Sequence, residues 1–203
     1  MNQRNPHRIL VVDDNPDIHG DFRKILCADR LRGSKLESME AALFEETSLL
    51  GKQSEFEVDS AFQGQEGLAR VHHAVQEGNP YEMAFVDVRM PPGLDGIEVT
   101  PMLWKADPDL QIVICTAFSD YSWEEMFAKV GTSDRMFMLK KPFERIEVLQ
   151  LAHTLVERRR LNGEAKMKLE KLHGTVQART KSLEKMSRAL QAEIAQLKQT
   201  GTR

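Results

Sequence analysis

A chain of 203 residues that is 41% hydrophobic and 29% charged has enough apolar side chains for the core of a soluble globular domain. It contains no apolar run of about 18 residues, which excludes an ordinary membrane-spanning helix, and no signal-peptide stretch, so we expect a cytoplasmic protein. The net charge of −3 is uneven, because residues 1–156 sum to −10 and residues 157–203 to +7. This pattern predicts an acidic globular part followed by a basic tail.

Short apolar runs alternate with helical patterns along residues 1–156. The predicted strands are residues 8–12, 56–61, 83–86, 111–116 and 136–139. Each is followed by an amphipathic helical pattern: from Asn15-Pro16, over 65–76, over 97–106, over 123–130, and from Glu144 onwards. Five strand-then-helix units predict an α/β protein with a parallel sheet covered on both faces. Right-handed crossovers make a doubly wound sheet the expected topology.

One segment exceeds what a minimal five-unit domain needs. Residues 31–54 lie between the first predicted helix and the second strand, and their apolar spacing indicates an amphipathic helix. The apolar positions are Leu36, Met39, Leu43 and Leu50. We interpret the segment as a helical insertion, either a packed surface elaboration or a surface for a partner.

The tail carries an aliphatic residue at every seventh position. These a positions of a heptad are Leu169, Val176, Leu183, Leu190 and Leu197. The d positions of the same frame are Ala165, Leu172, Arg179, Met186 and Glu193. Because the frame extends back through Asn162 to Val148, we expect one continuous helix that forms a coiled coil. A homodimer through this helix is predicted, with Asn162 at an a position helping to fix its register.

Polar side chains stand where the predicted strands end. Asp13 and Asp14 follow the first strand, Asp87 the third, and Lys141 the fifth, while Thr116 closes the fourth. Because the carboxyl ends of parallel strands meet at one edge, these side chains are expected to share a crevice. Three carboxylates at close quarters repel each other unless a cation joins them, and Mg²⁺ prefers oxygen ligands. Such a set, with an ammonium and a hydroxyl beside it, suits phosphoryl transfer to a carboxylate.

Four motifs resemble the signature of the response-regulator receiver (CheY-like) family of two-component systems. They are VVDD at 11–14, VDVRMPPGLDG at 86–96, Thr116-Ala117, and Lys141-Pro142-Phe143. The resemblance covers roughly residues 8–156, with 31–54 outside it. It implies a flavodoxin-like five-stranded sheet of order 2-1-3-4-5. Residues 1–156 would then be a receiver domain, and residues 157–203 its coiled-coil helical extension.

The resemblance implies a role for each matched residue. Asp87 would be the phosphoacceptor, taking its phosphoryl group from a histidine kinase or a phosphotransfer protein. Mg²⁺ would be bound by three carboxylates and one backbone carbonyl, those of Asp13, Asp14, Asp87 and Arg89. The phosphoryl group would be bound by Thr116, Ala117 and Lys141. The protein would accept phosphate rather than act as an enzyme on other molecules.

The sequence departs from the family in two places. The family's switch aromatic sits three residues before the lysine, where this chain has Met138 with Phe137 beside it. The loop after Asp87 is also one residue longer than the common form. We therefore treat Met138 and Phe137 as candidate switch positions with an altered aromatic gate.

The downstream effector is unknown, and two other outputs stay open. The segment ARTKSLEKMSRALQAEIAQLK, residues 178–198, resembles linkers that precede kinase or cyclic-dinucleotide synthase domains. The chain would then be the regulatory front of a longer enzyme, such as a diguanylate cyclase or a hybrid histidine kinase. The basic tail with Arg158-Arg159-Arg160 also suggests DNA binding. We do not expect a nucleic-acid partner, because the basic residues spread through the coil instead of forming a dense block.

Overall fold

The computed structural model describes residues 6–27, 55–117, 128–131 and 133–200, with side chains to residue 191. In these residues five strands form one sheet: β1 His7–Val12, β2 Phe56–Ala61, β3 Met83–Asp87, β4 Gln111–Thr116 and β5 Met136–Lys140. Their order is β2-β1-β3-β4-β5, and every neighbouring pair is parallel. The predicted fold class, a flavodoxin-like doubly wound five-stranded sheet, is therefore confirmed.

Helices follow the strands as the sequence predicts. They are α1 Pro16–Leu26, α2 Gly64–Gln76, α3 Gly96–Ala106 and α4 Arg145–Thr200. Asn15 caps α1 by accepting a hydrogen bond from the Asp17 amide, and Asp95 and Glu98 form a capping box at the start of α3. The predicted insertion at 31–54 and most of the predicted helix at 123–130 lie outside the described residues, although 128–130 are helical.

The sheet is buried on both faces, as its uninterrupted apolar strands require. In β1, Leu10 and Val12 face the cluster formed with α2 and α3, and Ile9 and Val11 face the cluster formed with α1 and α4. Each of these four side chains is at most 1% exposed. This sandwich fixes the strands, and so fixes which residues reach the carboxyl edge of the sheet.

Helix α4 is buried in its first part and exposed in its later part. Val148, Ala152 and Leu155 are fully buried against the sheet. The chain divides into two compact units, residues 1–159 and 160–203, and the second contains the rest of α4. In that unit the predicted seam residues Leu169, Leu172, Val176, Leu183, Met186 and Leu190 each expose more than half of their surface. The predicted continuous C-terminal helix is confirmed, and no described helix is long and apolar enough to span a membrane.

Candidate functional site

The carboxyl ends of four strands bring the predicted residues together. Val12 pairs with Val86, so Asp13 and Asp87 leave their strands at the same level. Asp87 pairs with Cys115, which places Thr116 one residue further along β4. The Lys141 amide donates to the Thr116 carbonyl at 2.8 Å, which continues the ladder past the end of β5. The register alone therefore places one residue from each of four strands at a common edge.

Lys141 joins two of the carboxylates. Its Nζ donates to Asp13 Oδ2 at 2.7 Å and to Asp87 Oδ1 at 2.5 Å. The neighbouring Lys140 is exposed and makes neither contact. The contacts therefore follow the lysine that directly precedes Pro142.

Three carboxylates lie within reach of one ion. Oxygens of Asp13, Asp14 and Asp87 are all within 4.8 Å of one another, with Asp13 and Asp87 buried and Asp14 exposed. Backbone amides support two of them, because Asn15 N donates to Asp13 and Arg89 N donates to Asp87. One ammonium does not neutralise three carboxylates, and all-oxygen donor sets suit hard divalent cations. The residues present therefore fit Mg²⁺.

Burial and charge act in opposite directions on the two central groups. Burial raises the pKa of Asp87; the hydrogen bond from Lys141 opposes this rise, and the negative charge of Asp13 adds to it. Burial would lower the pKa of Lys141, but its hydrogen bonds to Asp13 and Asp87 outweigh that effect and raise the pKa. The lysine is thus held as a cation, while the charge on Asp87 remains unfavourable without a further positive partner.

The other predicted residues lie around this centre. Thr116 is buried at the end of β4, and its hydroxyl donates to the Ala117 carbonyl at 2.9 Å. Arg89 is positioned by its own amide, which donates to Asp87 at 3.1 Å. Met138 and Phe137 sit on opposite faces of β5, since Met138 packs with the α2–α3 cluster and Phe137 with the α1–α4 cluster. Of these two candidate switch positions, Met138 is the one on the face of the sheet that carries Ile114, its partner in register.

Three residues near the site were not predicted from the sequence. Gly96 opens α3 so close to the strand end that a Cβ there would lie 2.0 Å from the Asp87 carbonyl oxygen. Gln63 donates to the Pro91 carbonyl at 3.3 Å and so supports the lengthened loop. His19 is buried beside the Asp13 carbonyl. The glycine that ends the motif GLDG could have indicated the close approach at Gly96. The contacts of Gln63 and His19 had no such local signal, because they join residues far apart in the chain or across a turn.

The arginines of the basic segment are engaged in ion pairs. Arg159 donates to Asp107 at 2.8 Å, and Arg158 donates to Asp134 at 2.7 Å. Both pairs lie within residues 1–159, where Asp107 follows α3 and Asp134 precedes β5. Arg160 pairs with Glu164 one turn along the helix. The charge pattern alone did not reveal these partners.

Comparison with known proteins agrees with this geometry. A family model described as the response regulator receiver domain matches residues 40–153. The C4-dicarboxylate transport transcriptional regulatory protein DctD of Pseudomonas aeruginosa is 29% identical over 127 residues, 57% of this chain and 27% of that protein. The chain thus spans about a quarter of the length of this curated relative.

Solved structures share the fold. A CheY-like receiver domain protein of Methanospirillum hungatei is 21% identical with a TM-score of 0.53, covering 78% of this chain and 99% of that one. An adenylate cyclase structure from Rhodopirellula baltica is 20% identical with a TM-score of 0.57, covering 82% and 99%.

The family match and the structure complement each other. The match begins at residue 40, after Asp13 and Asp14, and includes Asp87, Thr116 and Lys141. The structure supplies the missing part, because β1 pairs with β2 and β3 in the middle of the sheet. This chain belongs to the response regulator receiver domain family and carries the receiver domain of a two-component response regulator.

Proposed function

We propose that Asp87 accepts a phosphoryl group from the phosphohistidine of a cytoplasmic histidine kinase or phosphotransfer protein. The observation that carries the proposal is the ammonium of Lys141, which bridges Asp13 and Asp87 beside a third carboxylate. Such a cluster has its negative charge in excess, and it can bind a cation and the phosphoryl group that the cation accompanies.

Asp87 is preferred over its two neighbours as the nucleophile. The Asp13 side chain is only 3% exposed, against 11% for Asp87, so Asp87 is the more accessible of the two carboxylates paired with lysine. Asp14 is exposed but makes no contact with Lys141. Only Asp87 among the three combines access with a cationic partner that can follow the incoming charge.

The transfer is an in-line displacement at phosphorus. A carboxylate oxygen of Asp87 forms the new phosphorus–oxygen bond, the phosphorus–nitrogen bond breaks, and the imidazole leaves with its electron pair and takes up a proton from solvent. Lys141 moves its hydrogen bond from Asp87 to a phosphoryl oxygen, and the Thr116 hydroxyl turns from the Ala117 carbonyl to do the same.

The cation would be held by Asp13, Asp14, Asp87 and the backbone carbonyl of Arg89. Mg²⁺ bound there supplies positive charge to the carboxylates and to the phosphoryl oxygens.

The test uses a small phosphodonor in place of the unidentified kinase. The chain is incubated with acetyl phosphate and Mg²⁺, and label is measured in the parent, in Asp87→Asn and in Asp59→Asn. Asp59 is a matched control, because it is a partly buried carboxylate outside the site. We expect acid-stable, base-labile label in the parent and in Asp59→Asn only, and undiminished label in Asp87→Asn would overturn the proposal.

We also propose that α4 associates with a second copy as a coiled coil and carries the phosphorylation state to an unknown effector. The exposed heptad residues support this, since Leu172, Leu183 and Leu190 would otherwise leave an apolar stripe in water. The rival DNA-binding output is weakened, because Arg158 and Arg159 are engaged with aspartates in residues 1–159. A role as the front of a longer enzyme remains compatible with the coil.

Light scattering on the full chain tests the association. Leu183→Glu places a charge on the stripe, and Gln177→Glu places the same charge on the outer side of the same helix. We expect the parent and Gln177→Glu to form a dimer, and Leu183→Glu to be a monomer. A parent that stays monomeric with and without acetyl phosphate would contradict the proposal.

A further inference from the structure

We propose that His19 is a positioning residue for the divalent-cation site, because it fixes the peptide that carries Asp14. The proposal deepens the proposed function, since it concerns the same three carboxylates. It assigns the positioning role to a side chain in the middle of α1 rather than to a ligand.

The geometry of His19 is that of a buried hydrogen-bond donor. Its side chain is 1% exposed, and its Nε2 lies 2.8 Å from the backbone carbonyl oxygen of Asp13. A carbonyl oxygen only accepts, so Nε2 carries the hydrogen. The Phe62 ring packs against the imidazole with their centroids 4.5 Å apart. The imidazole ring is therefore fixed in place, and its Nε2–H group is directed at the Asp13 carbonyl oxygen.

The three carboxylates differ in how they are held. The carboxylate of Asp13 accepts from Asn15 N and Lys141, and that of Asp87 accepts from Arg89 N and Lys141. The exposed carboxylate of Asp14 accepts no hydrogen bond from any residue that the structure describes. Its position therefore depends on the backbone that carries it.

That backbone is where His19 acts. The Asp13 carbonyl and the Asp14 amide belong to the same planar peptide, so a hydrogen bond to this carbonyl limits rotation of the whole plane. The Asp13 amide is held at the other side by the Ala61 carbonyl, at 3.1 Å. When this peptide plane is held, the backbone of Asp14 is held too, and its side chain is kept close to those of Asp13 and Asp87. Partners that orient a metal ligand affect metal affinity in just this indirect way.

Filling space does not explain an imidazole at this position. Its Nδ1 is buried and has no hydrogen-bond partner within the described part of the chain, which is unfavourable for a polar atom. An apolar side chain of similar size would fill the volume without that disadvantage. The property that distinguishes His19 is the hydrogen at Nε2.

The test measures cation binding directly, without phosphorylation. Titration calorimetry with Mg²⁺ is performed on the full chain for the parent, His19→Leu and His19→Gln, and electron paramagnetic resonance of Mn²⁺ provides a second readout. We expect His19→Leu to weaken binding about tenfold, at the lower end of the range for residues that hold a ligand in place. His19→Gln, whose amide keeps a donor, should stay within about threefold of the parent.

Phe22→Leu is the control for general loosening of α1. Phe22 is buried on the same helix, packs against Phe85 and Phe143, and belongs to the apolar α1–α4 cluster. It should lower the melting temperature and leave the Mg²⁺ affinity unchanged. Parental affinity in His19→Leu, equal weakening in His19→Gln, or equal weakening in Phe22→Leu would each overturn the proposal. Absence of Mg²⁺ binding by the parent would overturn the proposed cation site itself, and this inference with it.

Discussion

The charged side chains at the two ends of the sheet differ in how they are paired. Toward the amino ends, three guanidinium groups are each paired with a different carboxylate: Arg8 with Asp59, Arg158 with Asp134, and Arg159 with Asp107. At the carboxyl ends, three carboxylates lie together, and the ammonium of Lys141 contacts two of them, Asp13 and Asp87. Removing one member of a matched buried pair leaves an uncompensated charge and destabilises the fold, whereas an unmatched cluster stays unfavourable until a ligand binds to it. Changing single charges at each end should therefore have opposite results.

The largest expected effect comes from removing the ammonium. Lys141→Ala should slow phosphorylation by acetyl phosphate about 100-fold, because a preorganised charge toward the phosphoryl oxygens is lost. Lys140→Ala, one residue earlier and outside the cluster, is the matched control and should retain the parental rate. The rates are measured at saturating Mg²⁺, and equal rates for the two variants would refute the role of Lys141.

Removing a charge at the amino ends of the strands should change the free energy of unfolding and leave the phosphorylation rate unchanged. Arg159→Ala leaves Asp107 buried without its partner, and we expect the free energy of unfolding to fall by about 3 kcal/mol. Phosphorylation of Asp87 should be unchanged. Urea titration provides the stability, with the exposed Arg160→Ala as control, for which a change below about 0.5 kcal/mol is expected. Equal losses in the two variants would show that the buried pair contributes nothing special.

A smaller effect is expected at the polar cluster of Asp59, Arg8 and Tyr81. Burial and the hydrogen bond to Asp59 raise the pKa of Tyr81 from 10.0 to about 12. Because the folded pKa is the higher one, this stabilisation is present below pH 10 and is lost as the pH rises toward 12. Tyr81→Phe should lower the free energy of unfolding by about 1 kcal/mol at pH 7. Its stability should also fall less between pH 10 and 12 than that of the parent, and parallel pH curves would contradict the assignment.

The smallest effect has the opposite sign. Burial raises the pKa of Asp87, so its charge opposes folding above the unfolded pKa. Asp87→Asn should therefore raise the free energy of unfolding of the metal-free protein slightly, because the variant has no carboxylate charge to bury. Mg²⁺ should stabilise the parent and reduce or reverse this advantage. The control is Asp107→Asn at the amino ends of the strands, which should destabilise the protein with or without Mg²⁺. A loss of stability in metal-free Asp87→Asn would contradict the expected difference between the two ends.

The sheet was predictable because it is buried on both faces. Continuous apolar runs such as residues 111–116 are typical of buried strands, and the alternation with helices predicts that these strands are parallel. The strand order came from the family resemblance. The site followed from the same logic, since residues at strand ends meet at one edge. Small differences at the boundaries come from local contacts: Asp87 is the last residue of β3, and the capping box lets α3 begin at Gly96.

What could not be predicted depends on contacts that no local pattern encodes. The pairing of Arg159 with Asp107 joins residues far apart in the chain, so the charge pattern placed that arginine with the tail. The contact from His19 to the Asp13 carbonyl depends on how α1 turns away from β1. The sequence pattern around His19 does not indicate this contact, and the positioning role follows only from the direction of the hydrogen bond that Nε2 donates.

Locating the phosphoryl group tests the central claim most directly. After incubation with acetyl phosphate and Mg²⁺, borohydride reduction converts an aspartyl phosphate to homoserine, and mass spectrometry of the peptides identifies the modified residue. We predict one modified residue, Asp87, in the peptide that contains the end of β3. Modification at Asp13 or Asp14 instead, or the absence of any modified aspartate, would contradict the account.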